Sequence, residues 1–281
     1  MNPDTCAALL ELNRRFYAQF AGDFSRTRRS WPPGFSRILP HLLQAANVID
    51  VGCGNGRLLT FLADAGWRSD YCGVDSSEAL LGIAGGQSAG KAGITSRFLR
   101  AELTTCDSHQ PLVWADPLGR DRWDAMTVLA VLHHIPGAAQ RARLLAACAD
   151  LLRPGGILIA STWQFLGAAR LNTRILPWES VGLQSEDVEP GDYLLPWGAN
   201  AAGQRYCAAI DKEALRKIAE AAGLTPLEFF FSDGHERNLN LYGVFRKMFP
   251  EKNHGDTETT EFFQIVSVSS VPQGGFALPP W

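Results

Sequence analysis

The sequence predicts an α/β protein built on a doubly wound, mostly parallel sheet. Three observations carry that prediction. From residue 47 onward, apolar runs of strand length alternate with stretches of helical periodicity, the pattern of a parallel sheet with helices on both faces. The stretch Val48-Ile49-Asp50-Val51-Gly52-Cys53-Gly54-Asn55-Gly56 reads as a buried strand running straight into a glycine-rich turn and then a helix. A second apolar strand, Asp70-Tyr71-Cys72-Gly73-Val74, follows and ends in an acid, Asp75.

The elements follow in order. Leu9, Leu12, Phe16 and Phe20 recur at helical spacing and predict a helix over 4–20. Residues 21–32 read as a linker, and Pro33 opens a second helix through about Ala45. Residues 1–46 are therefore expected to form an N-terminal helical extension. Strand 47–51 leads to helix 56–65, and strand 70–74 to helix 77–84, with 85–93 a Gly- and Ala-rich loop. Strand 95–100 precedes a long loop, 103–122. Strand 124–130 leads to helix 138–152, which Pro154-Gly155-Gly156 punctuates before strand 157–163.

Residues 164–205 break the alternation. They are rich in Trp, Pro and Gly and are expected to be an insertion capping the carboxyl ends of the strands, the edge where open α/β sheets bind ligands. Helix 211–222 ends at Gly223, and strands 226–232 and 239–246 close the sheet as a hairpin. That makes seven strands in a domain spanning 47–248. The remainder, 249–281, is polar and then Val/Ser/Gly/Pro-rich, and either stays loose or adds an edge strand.

Composition removes several function classes. With 281 residues, 46% of them hydrophobic, the chain can bury one full α/β core with additions. A net charge of −3 gives no global nucleic-acid signature. The charge is uneven, however: residues 11–40 carry six Arg against two acids, and 179–192 carry five acids and no base. The six cysteines form no C-x-x-C pair, which points to reduced thiols, no zinc site and a cytoplasmic location. No apolar run reaches membrane-spanning length and no signal-peptide pattern is present.

The glycine loop specifies a ligand class. Gly at alternating positions permits positive φ and removes Cβ atoms, so a ligand can lie on bare backbone at the start of a helix. Asp75 is placed to accept from ribose hydroxyls. A dinucleotide site wants G-x-G-x-x-G, whereas Gly52, Gly54 and Gly56 are spaced G-x-G-x-G, with Asp50 two residues ahead. This resembles motif I of the class I S-adenosylmethionine (SAM) methyltransferases, whose fold is a Rossmann-like seven-stranded sheet. The resemblance implies SAM as cofactor, with the turn at the methionine end and Asp75 at the ribose. It places Cys53, Ser76, Ala101, Leu129 and His134 with them in the cofactor set. It also puts Glu102, after strand 95–100, beside adenine; an exposed loop carboxylate is the other reading of Glu102.

Strand 124–130 runs into Val131-Leu132-His133-His134-Ile135-Pro136, which in the resembled fold faces the transferring methyl. Adjacent histidines make a poor metal site, since ligands on one helix face sit at i and i+4. Either they pack under the cofactor or His133 touches substrate.

Phe24-Ser25-Arg26-Thr27-Arg28 with Trp31-Pro32 narrows the resemblance. So do Asp192-Tyr193-Leu194-Leu195-Pro196-Trp197, Gln204-Arg205-Tyr206 and Asn240-Leu241-Tyr242-Gly243-Val244. These resemble, in order, segments of the tRNA wobble-uridine carboxymethyl methyltransferases. That family esterifies the carboxylate of 5-carboxymethyluridine. The resemblance implies tRNA as partner and, for eukaryotic members, a small activator subunit. Where the family has R-Y-Y this chain has Arg205-Tyr206-Cys207.

The chemistry suits such residues. A carboxylate is already ionised at pH 7 and attacks a sulfonium methyl in line without a base. An anionic nucleophile calls for a planar bidentate clamp, for which Arg205 and Arg26 or Arg28 are the candidates. Tyr206 and Trp197 are candidates to stack on an everted base. Two alternatives stand beside this reading. One is a SAM-dependent O- or N-methyltransferase of a small metabolite. The other is a catalytically silent SAM-fold binding protein. An open basic patch formed by Arg14, Arg15, Arg28, Arg29 and Arg37 would favour tRNA; pairing of those arginines with acids would favour the metabolite.

Overall fold

The computed structural model describes residues 1–27, 30–107, 109–168, 172–198 and 202–249. Arg28 and the tail 250–281 lie outside the described residues. Seven strands form one sheet in the order β3-β2-β1-β4-β5-β9-β8. They are β1 (Asn47–Val51), β2 (Asp70–Asp75), β3 (Thr95–Arg100), β4 (Trp123–Leu129), β5 (Leu152–Trp163), β8 (Leu224–Ser232) and β9 (Asn240–Lys247). The first five run parallel, and β9 is antiparallel to both β5 and β8. The chain starts at β1, goes outward to β3, then returns to β4 beside β1. That reversal makes a topological switch point at the carboxyl ends of β1 and β4, where such sheets bind ligands.

Alternating residues of each strand build two cores, because successive side chains point to opposite faces. Ile49, Val51, Cys72, Val74, Met126 and Val128 face α5 (Ala138–Leu151) and α6 (Lys212–Ala221). Val48, Tyr71, Ala125 and Ile159 face α2 (Pro33–Leu43) and α3 (Arg57–Asp64). Asp50 and Thr127 fall on the second face, so the motif acid is carried into the interior rather than left at the surface.

Four boundaries differ from the sequence reading, each for a local reason. Helix α1 runs Pro3–Arg26, so Phe24, Ser25 and Arg26 form its last turn rather than a linker. Asn2 caps its start through the Thr5 N–H, and the helix continues because its apolar side packs on the insertion and, through Leu9 and Leu12, on the first core. Helix α4 (Glu78–Ser88) continues through Gly85 and Gly86, which were read as loop; Ser77 caps it. Strand β5 begins at Leu152, not 157. Pro154-Gly155-Gly156 is accommodated as a register shift opposite Trp123–Ala125, with Gly155 at φ +79°, so it bends the strand instead of breaking it. In the insertion, β6 (Asp192–Trp197) pairs with β7 (Gly203–Ala208), which runs past residue 205 because Ala208 is the ladder partner of Asp192.

That hairpin is tied to the N-terminal helix by one side chain. Asn13 of α1 is buried. Its Oδ1 accepts the Tyr206 N–H at 2.8 Å, and its Nδ2 donates to the carbonyls of His134 and Tyr206. Gly203 permits the close approach, since a Cβ there would fall 2.5 Å from the Phe20 ring. Asn13→Ala would leave a buried N–H and two carbonyls short of partners. The expected cost is about 1–3 kcal/mol for the unsatisfied groups, read as a lower midpoint in urea unfolding; an unchanged midpoint would mean that the cap is held elsewhere.

Candidate active site

A cavity of about 1030 Å³ lies over the carboxyl ends of β1, β2, β4 and β5, between α1, the cap and the β8–β9 turn. That is room for a nucleoside ligand and a second molecule beside it. Its walls come from parts far apart in sequence: Asn13 and Tyr17 of α1, Gly52 to Asn55, Asp75, His133 and His134, Trp163, Pro196 and Trp197, Arg205, and Asp233 to Tyr242.

The glycine loop forms one end. Gly52, Gly54 and Gly56 all have positive φ. A Cβ on Gly52 would lie 2.2 Å from Val131, whereas above Gly54 there is nothing within 4 Å. The loop is therefore closed on its inner side and open toward the cavity. Gly56 sits behind the loop, where a Cβ would meet Ala84 at 2.9 Å. Asp75 closes the loop from β2. One carboxylate oxygen accepts the Gly54 N–H and the other the Ser77 N–H, both at 2.8 Å. Burial pushes the Asp75 carboxyl up, while the N–H groups of Ser77, Gly54 and Ser76 pull it back. Each oxygen keeps lone-pair capacity for a further donor. Ser76 and Leu129 line the same end, and Glu102 stands exposed at its rim. Cys53 lines it too, its thiol held protonated by burial beside Asp50 and Asp75.

Asp50 lies under the loop, almost fully buried. Tyr71 donates to one oxygen at 2.7 Å and Thr127 to the other at 2.6 Å. Among the described residues no cluster of three or more His, Cys, Asp or Glu could hold a metal, and no helix is long and apolar enough to cross a membrane.

The far end is built around Arg205. Only 6% exposed, its guanidinium carbon lies 4.7 Å from the Trp163 ring centroid, 5.2 Å from Trp197 and 5.4 Å from Phe16. It forms no ion pair with a described residue, and its Nε is buried with no hydrogen-bond partner. Beside it His133 is buried, and its Nδ1 accepts the Trp163 N–H at 3.3 Å. Burial first, then His134 and Arg205, hold that imidazole well below its ordinary pKa. His133 is therefore neutral, with its proton on Nε2: a donor rather than a base. His134 donates from Nδ1 to the Tyr206 carbonyl and rests edge-on against Tyr17.

Two sequence-predicted site residues are corrected. Tyr206 is fully buried and faces away from the cavity, because it alternates with Arg205 along β7. Its hydroxyl donates to Asp192 at 2.6 Å and accepts from Arg141 at 3.1 Å, so it braces the cap and cannot stack on a base. Ala101 does not line the cavity; its N–H donates to the Asp75 carbonyl and continues the β2 edge. Arg28 lies outside the described residues. Residues that no sequence pattern singled out also line the site: Asn13, Tyr17, Arg57, Ser161 and Asp233. Asp233 sits in left-handed backbone, φ +67°, and accepts from Gly34, Asn240 and Tyr242. Asp233-Gly234, a turn dipeptide between two strands, was the only local signal for it.

Open backbone over Gly54, paired acids beneath and beside it, and the β1/β4 switch point fit a nucleoside with a charged tail. The comparisons agree. The chain matches the methyltransferase domain family over residues 24–228 and belongs to that family. It is a class I SAM-dependent methyltransferase, with S-adenosyl-L-methionine as cofactor. It is 31% identical over 147 residues to mouse tRNA (carboxymethyluridine(34)-5-O)-methyltransferase ALKBH8, covering 52% of this chain and 19% of that one. It is 33% identical over 120 residues to the ubiquinone biosynthesis O-methyltransferase of Methylococcus capsulatus, covering 43% and 44%. The matches thus span less than half the length of either relative. Among solved structures it resembles the Burkholderia thailandensis 1,6-didemethyltoxoflavin-N1-methyltransferase bound to 1,6-didemethyltoxoflavin and S-adenosylhomocysteine. That likeness has a TM-score of 0.56 at 20% identity, over 89% of this chain and 92% of that one, and speaks to the fold.

Asp50 makes a pH prediction. Burial pushes its carboxyl from 3.8 up to about 6, against the pull of Thr127 and Tyr71. A folded-state pKa above the unfolded one contributes stability that is complete below the unfolded value and lost as pH rises through the folded value. In urea unfolding without cofactor, the stability of the parent relative to Asp50→Asn should therefore shrink between about pH 4 and pH 6.5. A constant difference would mean that Asp50 is ionised throughout.

Proposed function

We propose that this methyltransferase esterifies a carboxylate on its acceptor, and that the acceptor is a 5-carboxymethyl-type wobble uridine of tRNA. The observation that carries the first half is Arg205. An uncompensated buried guanidinium costs several kcal/mol, while a cation–π contact returns about 0.5–2 kcal/mol. Three rings offset much of that cost and still leave the hydrogen-bonding edge, with its orphaned Nε, unused. A carboxylate supplies what is missing: opposite charge and acceptors matched to the fork. The second half rests on the likeness to the tRNA enzyme, which aligns with half of this chain.

S-adenosylmethionine brings the activated methyl group. The chain's own residues do the rest. Arg205 holds and orients the acceptor carboxylate, and Trp163, Trp197 and Phe16 keep water from it, so the nucleophile meets its target without a competing solvation shell. His133 donates from Nε2 rather than removing a proton, as suits a nucleophile already ionised at pH 7. Gly54 and Asp75 hold the nucleoside, and Asp50 faces the positive end of the cofactor's tail. A small activator subunit is part of this proposal, as is a cytoplasmic location.

One observation favours a second reading, methylation of a small metabolite. Arg14 and Arg15 pair with Glu11, Arg26 with Asp23, and Arg37 with Glu228. Among the described residues, the N-terminal arginines are thus matched by acids rather than presented as an open basic face.

Methyl transfer from labelled SAM into total tRNA decides between them, using tRNA from cells lacking the enzyme. Base-labile label on a uridine is the expected result. No incorporation, with SAM bound and an activator supplied, would pass the acceptor to a small carboxylate. Arg205→Lys keeps the charge and loses the fork, so kcat/KM should fall about 10- to 100-fold while SAM affinity holds. An unimpaired rate would remove Arg205 from the acceptor site.

A further inference from the structure

One cavity residue outside the glycine turn sits in backbone that its side chain disfavours. Ala130 follows the last residue of β4, lines the cavity and has φ +57°. Left-handed backbone brings a Cβ against the following carbonyl. Asp233, the other described non-glycine cavity residue with positive φ, is of a type whose short polar side chain tolerates it. Alanine has no such group. A strained residue of this kind persists only where its surroundings over-determine it. Here they do so through one residue, Ser161 of β5. The Ala130 N–H is shared between the Ser161 carbonyl, at 3.2 Å, and the Ser161 Oγ, at 3.0 Å. Ser161 is buried and fixed in the sheet, as ladder partner of Leu129 on one side and Tyr242 on the other.

The chain after Ala130 runs from the glycine loop to the acceptor wall. Val131, at φ −107°, leads into a single turn, Leu132–His134, closed by the His134 N–H on the Val131 carbonyl at 2.8 Å. Val131 packs over Gly52, where a Cβ would lie 2.2 Å from it. His133 comes to rest 6.2 Å from Trp163, ring centroid to ring centroid, and its Nδ1 accepts the Trp163 N–H. The end of β5 thus holds this segment at two points, Ser161 at its start and Trp163 at its turn. The direction in which the chain leaves β4 is set at Ala130. The placement of Val131 on the cofactor loop and of His133 beside Arg205 therefore share one backbone hinge.

We infer that Ser161 is a positioning residue for methyl transfer: its hydroxyl holds Ala130 in left-handed backbone and so fixes Val131 and His133 relative to each other. The Ser161 carbonyl would remain with any side chain at 161. The hydroxyl adds the second acceptor, which offsets the strain. Glycine at 130 would need no such help, because it adopts positive φ freely. A misplacement of about 1 Å between reacting groups slows a reaction about 100-fold, so one hydrogen bond away from the reacting atoms is felt in the rate. The inference rests on methyl transfer from SAM and on no particular acceptor.

The test uses Ser161→Ala, Ala130→Gly and the two combined, each in the full chain. The first readout needs no acceptor. In the imidazole nitrogen NMR spectrum, the His133 signal is assigned by its loss in His133→Gln. It should report the Nε2–H tautomer in the parent, a mixture of tautomers in Ser161→Ala, and the parent pattern again in the double variant. The second readout is single-turnover methyl transfer from SAM into tRNA from cells lacking the enzyme. Ser161→Ala should be about 10- to 100-fold slower with S-adenosylhomocysteine affinity held within about threefold, and adding Ala130→Gly should restore most of the rate. A slow Ser161→Ala that Ala130→Gly does not rescue would overturn the inference, as would an unchanged His133 signal. Lost S-adenosylhomocysteine affinity with the His133 signal in place would also overturn it and make Ser161 a ligand contact. Should Ser161→Ala alone not fold, the double variant and the urea midpoint of Ala130→Gly decide. That midpoint should rise as strain is relieved; a fall would mean that Ala130 is unstrained and would overturn the inference. A parent chain that transfers no methyl to tRNA would defeat the tRNA reading alone, and the His133 spectra would still decide on Ser161.

Discussion

The hydrogen bond from the Gly54 N–H to the Asp75 carboxylate, 2.8 Å long, is the contact on which the site depends. It joins the end of β2 to the turn after β1, and both strand ends are already held by the parallel ladder from Asn47–Asp70 to Val51–Val74. With the turn closed, Gly56 must enter α3 against Ala84, and Arg57 is delivered to the cavity. The same closure leaves the backbone over Gly54 bare. A side-chain cap on α3 or a Cβ on Gly54 would fill the space that a ligand needs, so the loop's openness and its tight inner packing are two results of one turn.

The second constraint is electrostatic. The described surface arginines of α1 and α2 sit in exposed ion pairs, worth about 0–1 kcal/mol each, and contribute little to stability. Arg205 and Arg57, which also line the cavity, are different. Arg205 is buried and Arg57 half-buried, each has a buried Nε without a hydrogen-bond partner, and neither forms an ion pair with an acid among the described residues. A charge buried at that cost is tolerated where a ligand completes it. The polar network around the cap does meet acids: Tyr206, Asp192, Arg141 and Glu189 bond one another, although the Arg141 Nε is left buried without a partner. That network holds β7 in place, and β7 presents Arg205 on its other face.

Helix α1 ties the two ends together. Asn13 bonds both the His134 carbonyl at the end of β4 and the Tyr206 backbone of the cap. Phe16 of the same helix lies against Arg205, and Tyr17 against His134. The helix that precedes the sheet in sequence is thus part of the cavity wall.

The parallel sheet, the glycine loop and the acid ending β2 are determined by the sequence alone. Each is local: a run of β-branched and apolar residues, glycines where φ is positive, an acid at a strand end. Arg205 was legible through the likeness of its segment. What the tertiary structure decided is long-range. The burial of Tyr206 beside an inward Arg205 depends on which face of β7 meets the cap, and one step of register exchanges the two. The neutral His133 arises from its burial with His134 and Arg205 beside it, and its tautomer from the Trp163 N–H thirty residues on. Helix α1 reaches Arg26 because the cap gives its last turns something to pack against. Periodicity states that a side chain is apolar or charged; only the packed chain states which neighbours it is left without.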